Sequence, residues 1–169
     1  METNALFYKI KKGIVTIEDY LKWSQHLLER NESSPSINAI SSFSNDDNIF
    51  EIEDYFKRAL EEIEIKQPSH VTSARGYIAH LAMRIIILEN PSEILDLAYR
   101  IFRIVGKELL YPDDLIEWYE ISEMIDILRY GDDVHLEFEK DVITKIKTEA
   151  NLLLKNDKMM NIFFTKKER

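Results

Sequence analysis

Only four glycines and four prolines interrupt these 169 residues. Strands must be reversed by tight turns, which need residues that tolerate positive φ or that preset it. A β-rich chain of this length would carry many more of them. Helices need few, because a proline just inside the start and a glycine past the end suffice. The scarcity predicts an all-α fold.

Apolar spacing agrees. Thr16 reads as an N-cap, with Glu18 and Asp19 in the first turn of a helix striped by Ile17, Tyr20, Leu21, Leu27 and Leu28. Trp23 falls off that stripe and faces either a neighbouring element or solvent. Ser34-Pro35 starts a short helix through Ile37 and Ile40, and a long one follows with Ile49, Ile52, Phe56, Ala59, Leu60 and Ile63 on one face. The most apolar helix runs from about Thr72 to Glu89. Asn90-Pro91 opens the next, for which Gly106 reads as the C-terminal cap. Tyr111-Pro112-Asp113-Asp114 starts another that Gly131 closes, and Asp132 or Asp133 caps a last helix through Val142, Ile146 and Leu153. Residues 5–15 read as one short extended segment. The expectation is an antiparallel array or bundle of about six helices. It forms a single domain over residues 1–155, although this length also fits two very small domains. Residues 156–169 form a C-terminal tail that docks as a short helix or stays free.

Charge is concentrated. Residues 111–141 hold eleven acidic side chains against Arg129 and Lys140, so this segment alone carries the chain's net charge of −9. Such a field repels nucleic acid and attracts cationic partners. Asp113, Asp114, Glu117, Glu120, Glu123 and Asp126 recur at three- and four-residue spacing along one helix, and Glu117, Glu120 and Glu123 are expected to share a face. Trp118, with Tyr111 and Tyr119, supplies aromatic side chains of the kind that anchor interfaces, though Trp118 also lies on the core stripe. The competing readings are an ordinary solvated helix face and a carboxylate site for Mg²⁺ or Ca²⁺. Arg100, Arg103 and Lys107 form a small basic strip, expected to pair with acids of neighbouring helices.

Several chemistries lack their residues. The absence of cysteine excludes disulfides, thiolate catalysis and the common structural zinc sites. His26, His70, His80 and His135 show no metal-ligand spacing. No Gly-x-Ser-x-Gly or phosphate-binding glycine loop occurs, so no catalytic residue, metal or cofactor is assigned. No apolar run approaches the ~20 residues of a bilayer span, and no basic-then-apolar leader opens the chain. A cytoplasmic location without membrane contact is expected.

The stretches Ile17-Glu18-Asp19-Tyr20-Leu21-Lys22-Trp23 and Leu109-Leu110-Tyr111-Pro112-Asp113-Asp114-Leu115 give the chain a character that resembles small, acidic, all-helical bacterial immunity proteins encoded beside contact-dependent or polymorphic toxins. The resemblance implies a non-enzymatic antitoxin that occludes a cognate toxin, such as a basic nuclease domain. The site expected from the residues is Asp113, Asp114, Glu117, Trp118, Glu120, Glu123 and Asp126. Two alternatives stand beside it: a helical adaptor or regulatory module, and a carboxylate-metal hydrolase.

Overall fold

Every regular element in the computed structural model, which describes residues 1–131 and 136–155, is helical. The helices are α1 (Thr3–Lys12), α2 (Ile17–Glu29), α3 (Pro35–Ser41), α4 (Ile49–Glu62), α5 (His70–Ile87), α6 (Pro91–Leu109), α7 (Glu117–Tyr130) and α8 (Leu136–Lys155). A single 3₁₀ turn, Asp113–Leu115, precedes α7. The expected all-α class holds among the described residues, with eight helices in place of about six. None is long and apolar enough to cross a membrane. The capping role of Asp132 or Asp133, His135, and the tail 156–169 lie outside the described residues. The backbone divides into two compact units, one from Met1 to Tyr77 and one beginning at Ile78, with the boundary inside α5.

In the N-terminal unit, α2 starts as its sequence dictates. Thr16 accepts from the Asp19 amide, and the Asp19 carboxylate accepts from the Thr16 amide at 2.9 Å, forming a capping box. Asp19 is buried and also pairs with Lys9 of α1. Ser34 caps α3 with Pro35 at its first position. Glu62 of α4 then ties α3 down by accepting from the Ser36 amide at 3.0 Å and the Ser36 hydroxyl at 2.8 Å. Hydrogen bonds from Ser34 and Ser36 hold its carboxyl below the usual range.

The core of this unit is aromatic. Phe56 meets Trp23, Tyr20 and Phe7 edge-on, at centroid separations of 4.8, 5.3 and 5.6 Å. Such pairs add roughly 0.5–1.5 kcal/mol each beyond their buried area. Leu6, Leu27, Ile37, Ile40 and Ile52 complete the cluster. Burial and the nearby Glu53, which accepts its hydroxyl, push the Tyr20 phenol well above its ordinary pKa.

Residues 3–12 are helix α1 rather than an extended segment, and that corrects the reading of Trp23 as well. The indole is fully buried, and its Nε1–H donates to Thr3 Oγ1 of α1 at 2.9 Å. Helix α1 also crosses the start of α5. Tyr8 stacks on Tyr77 at 4.6 Å, and a Cβ on Gly76 would sit 2.5 Å from Asn4 Cβ and 3.2 Å from the Ala5 backbone nitrogen. Gly76 is the notch that permits this approach.

In the C-terminal unit, α6, α7 and α8 pack on one another. Asp96 and Tyr99 near the start of α6 meet Arg129 near the end of α7, while Phe102 farther along α6 meets Tyr119 near the start of α7. These pairings make the two helices antiparallel neighbours. Buried Ile94, Leu97, Ile101, Val105, Trp118, Ile121, Ile125, Val142 and Ile146 supply the apolar faces. Lys147 of α8 donates to the Leu88 carbonyl at 2.7 Å, satisfying one of the free acceptors at the C-terminal end of α5.

Candidate partner-binding face

Helix α7 buries Trp118, Ile121, Ser122 and Ile125, at the i, i+3, i+4, i+7 spacing of one face. Trp118 has no exposed surface, so it is a core residue and contributes nothing to a solvent-facing site. Its Nε1–H is buried and has no hydrogen-bond partner among the described residues.

With Trp118 inward, the helical period spreads the acids around the solvent-facing side of α7. Glu117 and Glu120 turn toward α8, where Lys145 pairs with them at 2.7 and 3.2 Å. Both carboxylates hold the Lys145 ammonium above its usual pKa. Glu149, one turn along α8, is half-buried, and burial together with the charge of Glu117 raises its carboxyl. One lysine thus serves a small carboxylate network between α7 and α8.

Glu123 and Asp126 follow Tyr119 by four and seven residues and continue its side of the helix. Glu120 and Glu123, three residues apart, are neighbours on the solvent side of the helix, while Glu117 and Asp126 lie toward its two edges. Asp113 and Asp114 are exposed in the turn that leads into α7. Asp113, Glu123 and Asp126 form no ion pair with any described residue. Among the described residues no group of three or more acids or histidines is placed to hold a metal ion.

The flank that carries Glu123 and Asp126 is aromatic at its N-terminal end. Tyr111 and Tyr119 are perpendicular at 6.0 Å, and both contact Phe102, at 6.3 and 6.2 Å. Phe102 in turn meets Tyr99 at 5.5 Å. Tyr111 is 43% exposed and Tyr119 44%, so the two rings are open to solvent while held by their neighbours. The tyrosines were legible as anchors, but Phe102 reads in sequence only as part of the α6 core stripe. Its i−3 spacing from Tyr99 is the signal that links it to the cluster.

Tyr111 is placed by an unusual helix end. Helix α6 runs through Gly106 to Leu109, so Gly106 is not its cap. Leu110 and Tyr111 instead take left-handed backbone at φ 58° and 53°, and the Tyr111 amide donates to the Val105 carbonyl at 3.1 Å. Non-glycine side chains in this region cost roughly 1–2 kcal/mol each. The bend lays the Tyr111 ring over Gly106, where an added Cβ would lie 2.6 Å from the tyrosine hydroxyl oxygen. Gly106 is therefore a seat for an aromatic ring. Arg100, Arg103 and Lys107 are exposed on the same helix and form no ion pair with a described residue, so the expected internal pairing is absent. No family model, curated protein or solved structure matches the chain.

Proposed function

We propose that this chain is a binding protein of the immunity type. It neutralises a cationic cognate toxin, such as a nuclease domain, by covering the toxin's active or substrate-binding surface. The reading rests on one observation: the exposed Tyr111–Tyr119 pair belongs to the segment that carries Asp113, Glu123 and Asp126, carboxylates that form no ion pair with a described residue. Aromatic anchors within a field of one sign are the usual ingredients of a fast and specific protein interface.

The chain itself displays the chemistry such a partner would use. Arg129 lies over the Tyr99 ring at 5.2 Å and pairs with Asp96 at 2.5 Å, a guanidinium held by a ring face and a carboxylate together. Tyr119 with Glu123 one turn later offers the same two groups outward. A partner arginine would occupy them, while Glu117 and Glu120, engaged by Lys145, serve the fold. The exposed Arg100, Arg103 and Lys107 form a local basic strip on α6, which would fix the orientation of the partner. A stable interface of this kind buries on the order of 1,600 Å².

The test is co-expression and pull-down with the product of the adjacent gene, followed by association kinetics at low and high salt. Rescue of growth, a complex that forms more slowly as salt rises, and loss of affinity of roughly thirtyfold in Tyr119→Ala are expected. An association rate indifferent to salt, or a Tyr119→Ala complex of unchanged affinity, would sink the assignment.

A further inference from the structure

The N-terminal unit contains a cleft that the proposed interface does not use. We propose that it binds a small amphiphile, an apolar body of medium length ending in one anionic group. The cleft has a volume of about 450 Å³, within the range of small-molecule sites. That is room for on the order of fifteen non-hydrogen atoms at roughly 30 Å³ each.

Its floor is apolar. Phe7 and Ile10 of α1 line it together with Phe56 and Leu60 of α4 and Pro68. The Phe7–Phe56 and Tyr20–Phe56 ring pairs make this floor rigid, so a ligand would meet a preformed surface.

The charged lining sets the sign of the head group. Lys11 and Lys57 line the cleft and are exposed. Lys11 forms no ion pair with any described residue, and Lys57 is held only by its exposed helical neighbour Asp54 at 3.1 Å. The single carboxylate of the lining, Glu53, already accepts the Tyr20 hydroxyl at 3.5 Å. Two ammonium groups against one engaged carboxylate favour an anion, and long lysine stems allow both to close over it. The apolar chain of a fatty or aryl carboxylate would lie on the phenylalanines, with its head group between the lysines.

Calorimetry and amide NMR on the full chain, with decanoate as probe and decyltrimethylammonium as its cationic counterpart, test the assignment. Decanoate should saturate one site below its micelle concentration and shift amides of α1, α4 and residues 67–73. The surface double variant Lys11→Glu/Lys57→Glu, which leaves the core untouched, should weaken it roughly tenfold or more. Decyltrimethylammonium should bind the wild type at least about tenfold more weakly than decanoate. Absence of saturation, equal binding of the two probes, unchanged decanoate affinity in the double variant, or shifts confined to α6–α8 would each overturn it. The cleft lies in a different unit from the Tyr111–Tyr119 face, so this result and the fate of the partner interface are read independently.

Discussion

Each of the two units builds an aromatic cluster and sets a glycine notch into a helix, and they use these parts oppositely. Around Phe56 the rings of Tyr20 and Trp23 are buried, and the indole N–H and phenol O–H of those two both have acceptors. Around Phe102 the rings of Tyr111 and Tyr119 stand nearly half in solvent, Tyr111 on a bend of two left-handed residues and Tyr119 on α7. Gly76 receives a neighbouring helix, including its backbone, whereas Gly106 receives the end of one side chain. The first arrangement is made for stability. The second leaves two large rings in solvent, an exposure that packing alone does not require.

The contrast can be broken most sharply by truncation. Phe56→Ala should cost about 3–5 kcal/mol in denaturant unfolding, whereas Tyr119→Ala should cost less than ~1 kcal/mol and act on partner affinity instead. If Tyr119→Ala unfolds the protein as readily as Phe56→Ala does, the two clusters play the same role.

Alanine at the two glycines gives the next largest difference. Gly76→Ala meets Asn4 Cβ and the Ala5 backbone, and should destabilise by about 1–3 kcal/mol. Gly106→Ala should stay within ~1 kcal/mol of wild type, since its helical propensity gain offsets moving a phenol that can swing away. Its effect should instead be seen as altered Tyr111 ring resonances by NMR and weaker partner binding.

Leu110→Gly sharpens the argument about strain. The side chain is highly exposed, so little packing is lost, and relief of the left-handed backbone should raise stability by about 1 kcal/mol. A thermal scan showing a loss would mean that the bend carries no strain.

The smallest effect concerns the paired acids on the α8 flank. Glu149 has a raised folded-state pKa, so the folded protein takes up this proton before the unfolded chain does. Its charged form therefore penalises the fold at neutral pH, and the penalty is relieved as pH falls through the raised value toward 4.5. Glu149→Gln should be slightly more stable than wild type at pH 7, with the difference shrinking in urea titrations as pH falls through that window.

How far the sequence carried these conclusions depended on whether the determining contact was local. Thr16 with Asp19, Ser34 with Pro35, and Asn90 with Pro91 announce helix starts, because a cap is decided within a few residues. Helix α1 lacks a side-chain cap and first-turn acids, and it carries Phe7, Tyr8 and Ile10, which favour strands. It is held by Tyr77, Gly76 and Asp19, none of them adjacent in sequence. Gly106 was misleading for a related reason: a glycine near a helix end reads as a cap, and only the returning Tyr111 ring explains it in place. The acids of α7 were legible as a set. Which of them are engaged depended on where Lys145 approaches, and no spacing rule within α7 carries that information.

The bond between Thr3 and the Trp23 indole has a practical consequence. Loosening the first ten or so residues would admit water to a fluorophore that is otherwise sealed, so detachment of the chain's leading helix should report itself as a red-shifted emission. The protein thus carries its own optical gauge of whether that helix is seated, and fusions made at the N-terminus can be checked by it before any binding experiment begins.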